Sequence, residues 1–379
     1  MGNTTIPANV QQARDSVVND DLYAMCYLML ATYAYAGQSK ADTAVASIKA
    51  TFTNNRANAA QTVPANSPVP DCYWEIVWEP YASDDNSNLA YAAALMDPVS
   101  KLPIMGAIAI RGTDILAVDW AKIQQVLQDI RVDTQKAWPY PMPKTYDDVM
   151  LAAGSLDGLQ NKILKLGTFF DRKNNIADWV ASFSTLYPGT PIVVTGHSLG
   201  GCQTTALAAY LRSTESGVPA SVQICPNPFA GPTAGNTGFA AMYDDLFGAT
   251  GRRWFNTFDV APMAFNQADV ASLAEFWNSG QWTCQPALTM SGHWTTAYDL
   301  IRNWVAGKGY QQPTTGARPL NGQCSYPPPS SSFPPPQMTS SDPFTAMVLL
   351  QHFPPAYQTM MISQGYPSVI WPPAATADP

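Results

Sequence analysis

Strands alternating with helices predict an α/β fold for this chain, with a mostly parallel central sheet flanked by helices. Short apolar runs recur between longer segments of helical periodicity, the order expected when helices carry the chain from one parallel strand to the next. One such run, Pro191-Ile192-Val193-Val194-Thr195, is apolar at consecutive positions, as a strand covered on both faces must be. With 46% apolar residues over 379 positions, the chain can bury a large core. The expectation is a single domain over 1–379, with a loop-rich insertion at 276–340.

The elements follow in order. Residues 20–36 contain YAMCYLMLATYAYA, too short for a bilayer, which takes about 20 apolar residues; they predict a buried helix. Its Ala34-Tyr35-Ala36 triplet resembles a signal-peptidase site, but Asp15, Asp20 and Asp21 stand where a leader carries positive charge. A mixed region runs to Pro70. Asn88–Met96 and Ile104–Ile110 then read as an antiparallel hairpin, with Asp97-Pro98-Val99-Ser100-Lys101 supplying the turn. In 115–131, Leu116, Trp120, Ile123, Leu127 and Ile130 fall on one helical stripe. Asn161–Leu186 predicts one amphipathic helix, Gly200–Arg212 another, Val222–Cys225 a strand, and a further strand ends near Phe258. From 276 to 340 Pro, Gly, Ser and Gln dominate, culminating in the Pro-rich segment 326–336, a polyproline ligand or a stiff surface excursion. Helix-like sequence resumes over Asp342–Ser363.

Composition narrows the function classes. Only 13% of residues are charged, the net charge is −8, and no segment concentrates Lys and Arg, which argues against a nucleic-acid partner. A surface built largely from Ser, Thr, Asn and Gln suits an exported enzyme. The six cysteines show no CxxC spacing, which argues against a zinc or thioredoxin site. Cys202 and Cys225 read as core residues, while Cys284 and Cys324 are free to pair in an oxidising compartment. Asp84-Asp85-Asn86-Ser87-Asn88 begins like a calcium loop but has Leu89 and Leu95 where Gly and Glu are required, so it reads as a polar loop. No phosphate-binding glycine loop or nicotinamide fingerprint is present, and neither a cofactor nor a metal is expected.

Gly196-His197-Ser198-Leu199-Gly200 matches GxSxG. Its glycines permit a sharp strand-to-helix turn that lifts the serine out of the sheet, and the motif lies between a buried strand and an Ala-rich helix, its confirming context. The helix N-terminus also places free N–H groups beside a developing oxyanion. A serine hydroxyl needs a base, and the base an orienting carboxylate, in the order Ser, Asp, His for such a fold. The chain has three histidines. His197 adjoins the serine and is badly placed as its base, which leaves His293 and His352. Asp259 ends a strand-like run and is the favoured acid; Asp269 and Asp299 read as helical surface residues.

Four segments now stand in order: Ala109-Ile110-Arg111-Gly112-Thr113; Val194-Thr195 with GHSLGG; Phe229-Ala230-Gly231-Pro232-Thr233-Ala234-Gly235-Asn236 with Phe239; and Asn256-Thr257-Phe258-Asp259-Val260-Ala261-Pro262. Together they resemble the class 3 (fungal-type) lipase family of the α/β-hydrolase superfamily, over residues 90–265, with HFPPAY at 352–357 extending the similarity. The resemblance implies an α/β-hydrolase fold, Ser198 as nucleophile and Asp259 as triad acid. It further implies Thr113 and the Leu199 N–H as oxyanion donors, and a lid in the segment after Thr113. Residues 115–130 are then a lid or a plain core helix. The family's histidine lies near the C-terminal end, which favours His352, as do the prolines that break the helix pattern just after it. The chain departs from the family pattern at Ala261, in the position of Trp120, and in a longer span between acid and base.

The expected function is hydrolysis of fatty-acyl esters, triacylglycerol first, through a Ser-His-Asp triad and an acyl-enzyme. A phospholipase A1-type or short-chain carboxylesterase is the alternative. A non-catalytic hydrolase-like binding protein is the rival of another class. The expected partner is a lipid or ester substrate, with no transmembrane segment.

Overall fold

A computed structural model of the chain describes residues 5–35, 41–55, 62–112, 130–167, 175–277, 288–290, 292–322 and 343–369. Helices α1 (Ala8–Asn19), α2 (Ala24–Tyr33) and α3 (Ala41–Asn55) precede strands β1 (Tyr73–Ala82), β2 (Leu89–Met96) and β3 (Pro103–Ile110). A small hairpin, β4 (Gln135–Ala137) with β5 (Met150–Ala152), leads to α4 (Ala153–Asp157) and α5 (Ile176–Leu186). Then come β6 (Ile192–His197), α6 (Leu199–Leu211), β7 (Ile224–Phe229), α7 (Thr237–Phe247), β8 (Arg253–Asn256) and α8 (Gln267–Ser272). The described chain closes with α9 (His293–Val305), β9 (Ala317–Leu320), α10 (Pro343–His352) and α11 (Pro354–Ser363).

The central sheet runs in the order β1-β2-β3-β6-β7-β8-β9. The first three strands pair antiparallel, and β3 through β9 are parallel. Helices cover both faces. Along β6, Val193 joins the core formed with α1, α2 and α11, while Ile192 and Val194 point into the core formed with α5 and α6. That division follows from the period of two in a strand and explains why the run had to be apolar throughout. This is an α/β-hydrolase fold, as expected. No helix among the described residues is long and apolar enough to cross a membrane.

The hairpin of β2 and β3 forms where expected, and Asp97 organises its turn by accepting from the Val99 and Ser100 N–H groups at 3.2 and 2.9 Å. Helix α2 is almost wholly buried, as predicted. Four readings change. The strand β1 went unrecognised because Pro80 interrupts its pattern, and a sheet edge is where proline is tolerated. Residues 158–165 form a π-helical turn and a 3-10 turn, Leu166 is extended and Gly167 has φ +79°, so the predicted single helix over 161–186 is broken; among its described residues the regular helix is 176–186. Strand β7 begins later than predicted and runs through Pro226 and Pro228. The Pro226 carbonyl accepts from Arg252 on the β8 side, so the missing proline N–H groups face β8, where only Phe229 with Trp254 registers as a pair. Finally, the stretch 276–340 contains a 13-residue helix, α9, and a sheet strand, β9. Thr113, most of the 115–130 segment, Cys284, Cys324 and the Pro-rich segment 326–336 lie outside the described residues. Cys202 and Cys225 are buried free thiols.

Candidate active site

The site is assembled at the C-terminal ends of the parallel strands. Strand β6 ends at His197 and α6 begins at Leu199, so Ser198 occupies the turn between them with φ +60° and ψ −128°. Such backbone costs a non-glycine residue about 1–3 kcal/mol and persists only where its surroundings hold it. Here the Ser198 N–H donates to the Phe229 carbonyl at 3.0 Å, and the Ser198 carbonyl accepts from Cys202 N–H at 3.1 Å. The turn is tight enough that a Cβ on Gly196 would strike the Gly200 carbonyl, and one on Gly200 the Ile110 carbonyl. Leu199 sits at the first position of α6, where backbone N–H groups have no partner within the helix.

The candidate acid, Asp259, lies in the chain just after β8. Asp259 is 1% exposed, and its two oxygens are separately engaged. Oδ1 accepts from the Ala261 N–H at 2.9 Å; Oδ2 accepts from His352 Nδ1 at 2.8 Å and from the Tyr357 hydroxyl at 2.7 Å. Burial, and then the adjacent Asp259, push the Tyr357 hydroxyl well above its ordinary pKa, so it stays a proton donor. His352 Nε2 lies 2.8 Å from Ser198 Oγ. With Nδ1–H directed at a carboxylate, Nε2 is left as the acceptor for the serine hydroxyl. Of the two candidate histidines it is His352 that meets Ser198; His293 opens α9. His352 is the last residue of α10 rather than part of a loop, and Pro354 opens the next helix two residues later.

The structure thus brings Ser198, His352 and Asp259 into one hydrogen-bonded chain, with Leu199 adjoining. Several supporting residues escaped the sequence reading. His197 Nε2 is 2.7 Å from the His352 carbonyl; a carbonyl only accepts, so that nitrogen carries the proton and donates. Burial, and secondarily the neighbouring His352, hold His197 well below the usual histidine pKa, which keeps it neutral. The Tyr35 hydroxyl donates to the His197 carbonyl at 3.0 Å. Asn256 ties β8 to α10 through its Nδ2, which donates to the Gln351 backbone and side-chain oxygens at 2.9 and 2.8 Å, while its N–H donates to Tyr357 Oη at 3.1 Å. The only sequence signals for these were Asn256 at the head of the fourth motif segment and the tyrosine five residues after His352. Asn86, in the polar loop once matched to calcium-site spacing, accepts from Arg111 at 2.9 Å and so anchors the segment entering Gly112.

A cavity of about 650 Å³ runs behind Asp259 along β8, between Arg253 and Phe276. Asp259 lines it, but neither Ser198 nor His352 does. Among the described residues no cluster of His, Cys, Asp or Glu is arranged to hold a metal ion.

Residues 107–268 match the family described as lipase (class 3). Over this span the chain resembles the class 3 lipases. The lipase fold extends further: the crystal structure of M37 lipase superposes with a TM-score of 0.66 at 23% identity, covering 89% of this chain and 93% of that one. The native Rhizomucor miehei lipase propeptide complex aligns at 19% identity and TM-score 0.42, covering 64% and 62% of the two chains. Lip2 lipase from Yarrowia lipolytica aligns at 19% identity and TM-score 0.41, covering 68% and 75%. No curated protein sequence matches this chain. The four sequence blocks that carried the resemblance begin and end close to the matched span, and the enzyme is a carboxylic ester hydrolase of the lipase type.

Proposed function

We propose that this lipase hydrolyses fatty-acyl esters, triacylglycerol foremost, through Ser198 as nucleophile, His352 as general base and Asp259 as the carboxylate that orients it. The observation that carries the proposal is the unbroken chain Ser198 Oγ, His352 Nε2, His352 Nδ1, Asp259 Oδ2, with both links at 2.8 Å and the serine on a strained turn at a helix start. His352 takes the Ser198 proton as Oγ bonds to the ester carbonyl carbon. The resulting oxyanion is held by the Leu199 N–H and by Thr113, the second donor implied by the family resemblance. Collapse expels the alcohol, which leaves with the proton held on His352. Water, deprotonated by His352, then attacks the acyl-enzyme and releases the fatty acid and free Ser198.

The choice of triacylglycerol rests on the family, since a triad is indifferent to the leaving group. Ser198→Ala should lower ester hydrolysis by several orders of magnitude, on the order of 10⁶ for a comparable triad, without disturbing the fold. Retention of a tenth of wild-type turnover would move the nucleophile elsewhere and favour a non-catalytic reading of this site. A series of esters from short to long acyl chains, in solution and as emulsions, separates the substrate readings. Preference for emulsified long-chain triacylglycerol supports the proposal; preference for soluble short-chain esters or for phospholipid sn-1 esters replaces it.

A further inference from the structure

The His352 carbonyl ends helix α10, and helix-terminal carbonyls lack partners within their own helix. In a continuing helix the N–H four residues on, at Ala356, would reach it. Instead that N–H donates to Phe353, because Pro354 starts a new helix. The carbonyl is taken up by His197, whose ring is 1% exposed. His197 is itself enclosed: its ring centre is 4.8 Å from that of His352 and 5.7 Å from that of Tyr357, which it meets edge-on. Its own carbonyl is held by the Tyr35 hydroxyl.

The geometry forms a closed loop. The dipeptide His197-Ser198 touches the single residue His352 twice, through the serine hydroxyl at 2.8 Å and through the His197 ring at 2.7 Å. One contact sets where the imidazole tip meets the nucleophile; the other sets where the backbone carrying that imidazole is held. Asp259 fixes the ring's rotation but does not touch its backbone. We propose that His197 is a positioning residue for the general base: its Nε2–H holds the His352 carbonyl and thereby fixes the distance at which the His352 ring meets Ser198. The inference rests on His352 being the base.

Turnover of a soluble short-chain ester by purified, folded protein, with active sites counted by fluorophosphonate labelling, provides the test. His197→Phe keeps a ring and removes the donor, and His197→Gln keeps a donor of similar reach. A base displaced by about 1 Å can cost about 10²-fold. His197→Phe should therefore lose about 10²-fold in kcat with KM nearly unmoved, and His197→Gln should regain most of that loss. A purely structural role would instead lower the count of labelled sites and the unfolding midpoint without lowering kcat per site. Wild-type kcat per site in His197→Phe, or equal losses in the Phe and Gln variants, would overturn the inference. Should Phe not pack, His197→Leu supplies the donor-free variant. Failure of both to fold while His197→Gln folds and works would make His197 a folding residue and also overturn it. His352→Ala, run alongside, keeps the two readings apart. If it stays active the base assignment itself fails; if it is inactive while His197→Phe turns over normally, only the positioning role falls.

Discussion

Tyr357→Phe removes one oxygen from the most densely bonded point in the site. The hydroxyl donates to Asp259 Oδ2 at 2.7 Å and accepts from the Asn256 N–H at 3.1 Å, and the side chain is fully buried. A hydrogen bond to a charged group contributes about 1.5–3 kcal/mol, and a buried N–H left without a partner costs about 1–3 kcal/mol. The ring itself stays, so no cavity larger than an oxygen is opened. The two losses share one atom and do not simply add; about 3 kcal/mol of unfolding free energy is the expected decrease. Asp259 keeps the Ala261 N–H and His352 Nδ1, so the proposed triad is loosened rather than dismantled. The kcat on a soluble ester should therefore fall about tenfold, equivalent to about 1.4 kcal/mol, with KM unchanged. Urea unfolding at pH 7 and steady-state kinetics on the same preparation measure both quantities. A loss of stability below about 0.5 kcal/mol, the range of an ordinary surface change, would refute the reasoning that this hydroxyl anchors the acid.

Three further outcomes follow from the same geometry. Asp259→Asn keeps the shape but reverses the preferred tautomer of His352, and should reduce kcat by about 10⁴-fold in steady-state assays while leaving KM in place. Gly200→Ala drives a methyl group against the Ile110 carbonyl and the Gly112 N–H, both backbone atoms, and should cost more than about 3 kcal/mol of stability or prevent folding, read by thermal unfolding. The third concerns pH. Folded His197 is held well below the ordinary histidine pKa by burial, so between that depressed value and about 6.5 the unfolded chain binds a proton that the folded chain refuses. Stability from this group is present above about pH 6.5 and is lost as pH falls, at up to about 1.4 kcal/mol per pH unit. His197→Asn should flatten that slope when unfolding free energies are compared at pH 7 and pH 5.5.

The elements legible in the sequence were those whose residues satisfy a local rule. The two glycines around Ser198 are required by a single turn, so GxSxG announces both the turn and its exposed serine. The apolar run at 191–195 reports burial on both faces because each residue alone must find an apolar neighbour. Asp259 was visible because it follows a strand-like run, three residues after Asn256. What remained hidden depended on which groups meet across the fold. Nothing near Pro226 and Pro228 says that their missing N–H groups face a thinly paired neighbour; only the position of β8 decides that. Nothing in the local sequence of His293 or His352 separates them strongly, since each has a tyrosine five residues on. His197 looked like a bystander because its chemistry lies in donating to a carbonyl 155 positions away in the chain. Sequence alone determined where the backbone must turn, which faces must be covered, and where the serine and the carboxylate stand. The tertiary structure decided which histidine reaches them and what holds it there, because a hydrogen bond is set by distances of a few ångströms in space, and the chain records only separation along itself.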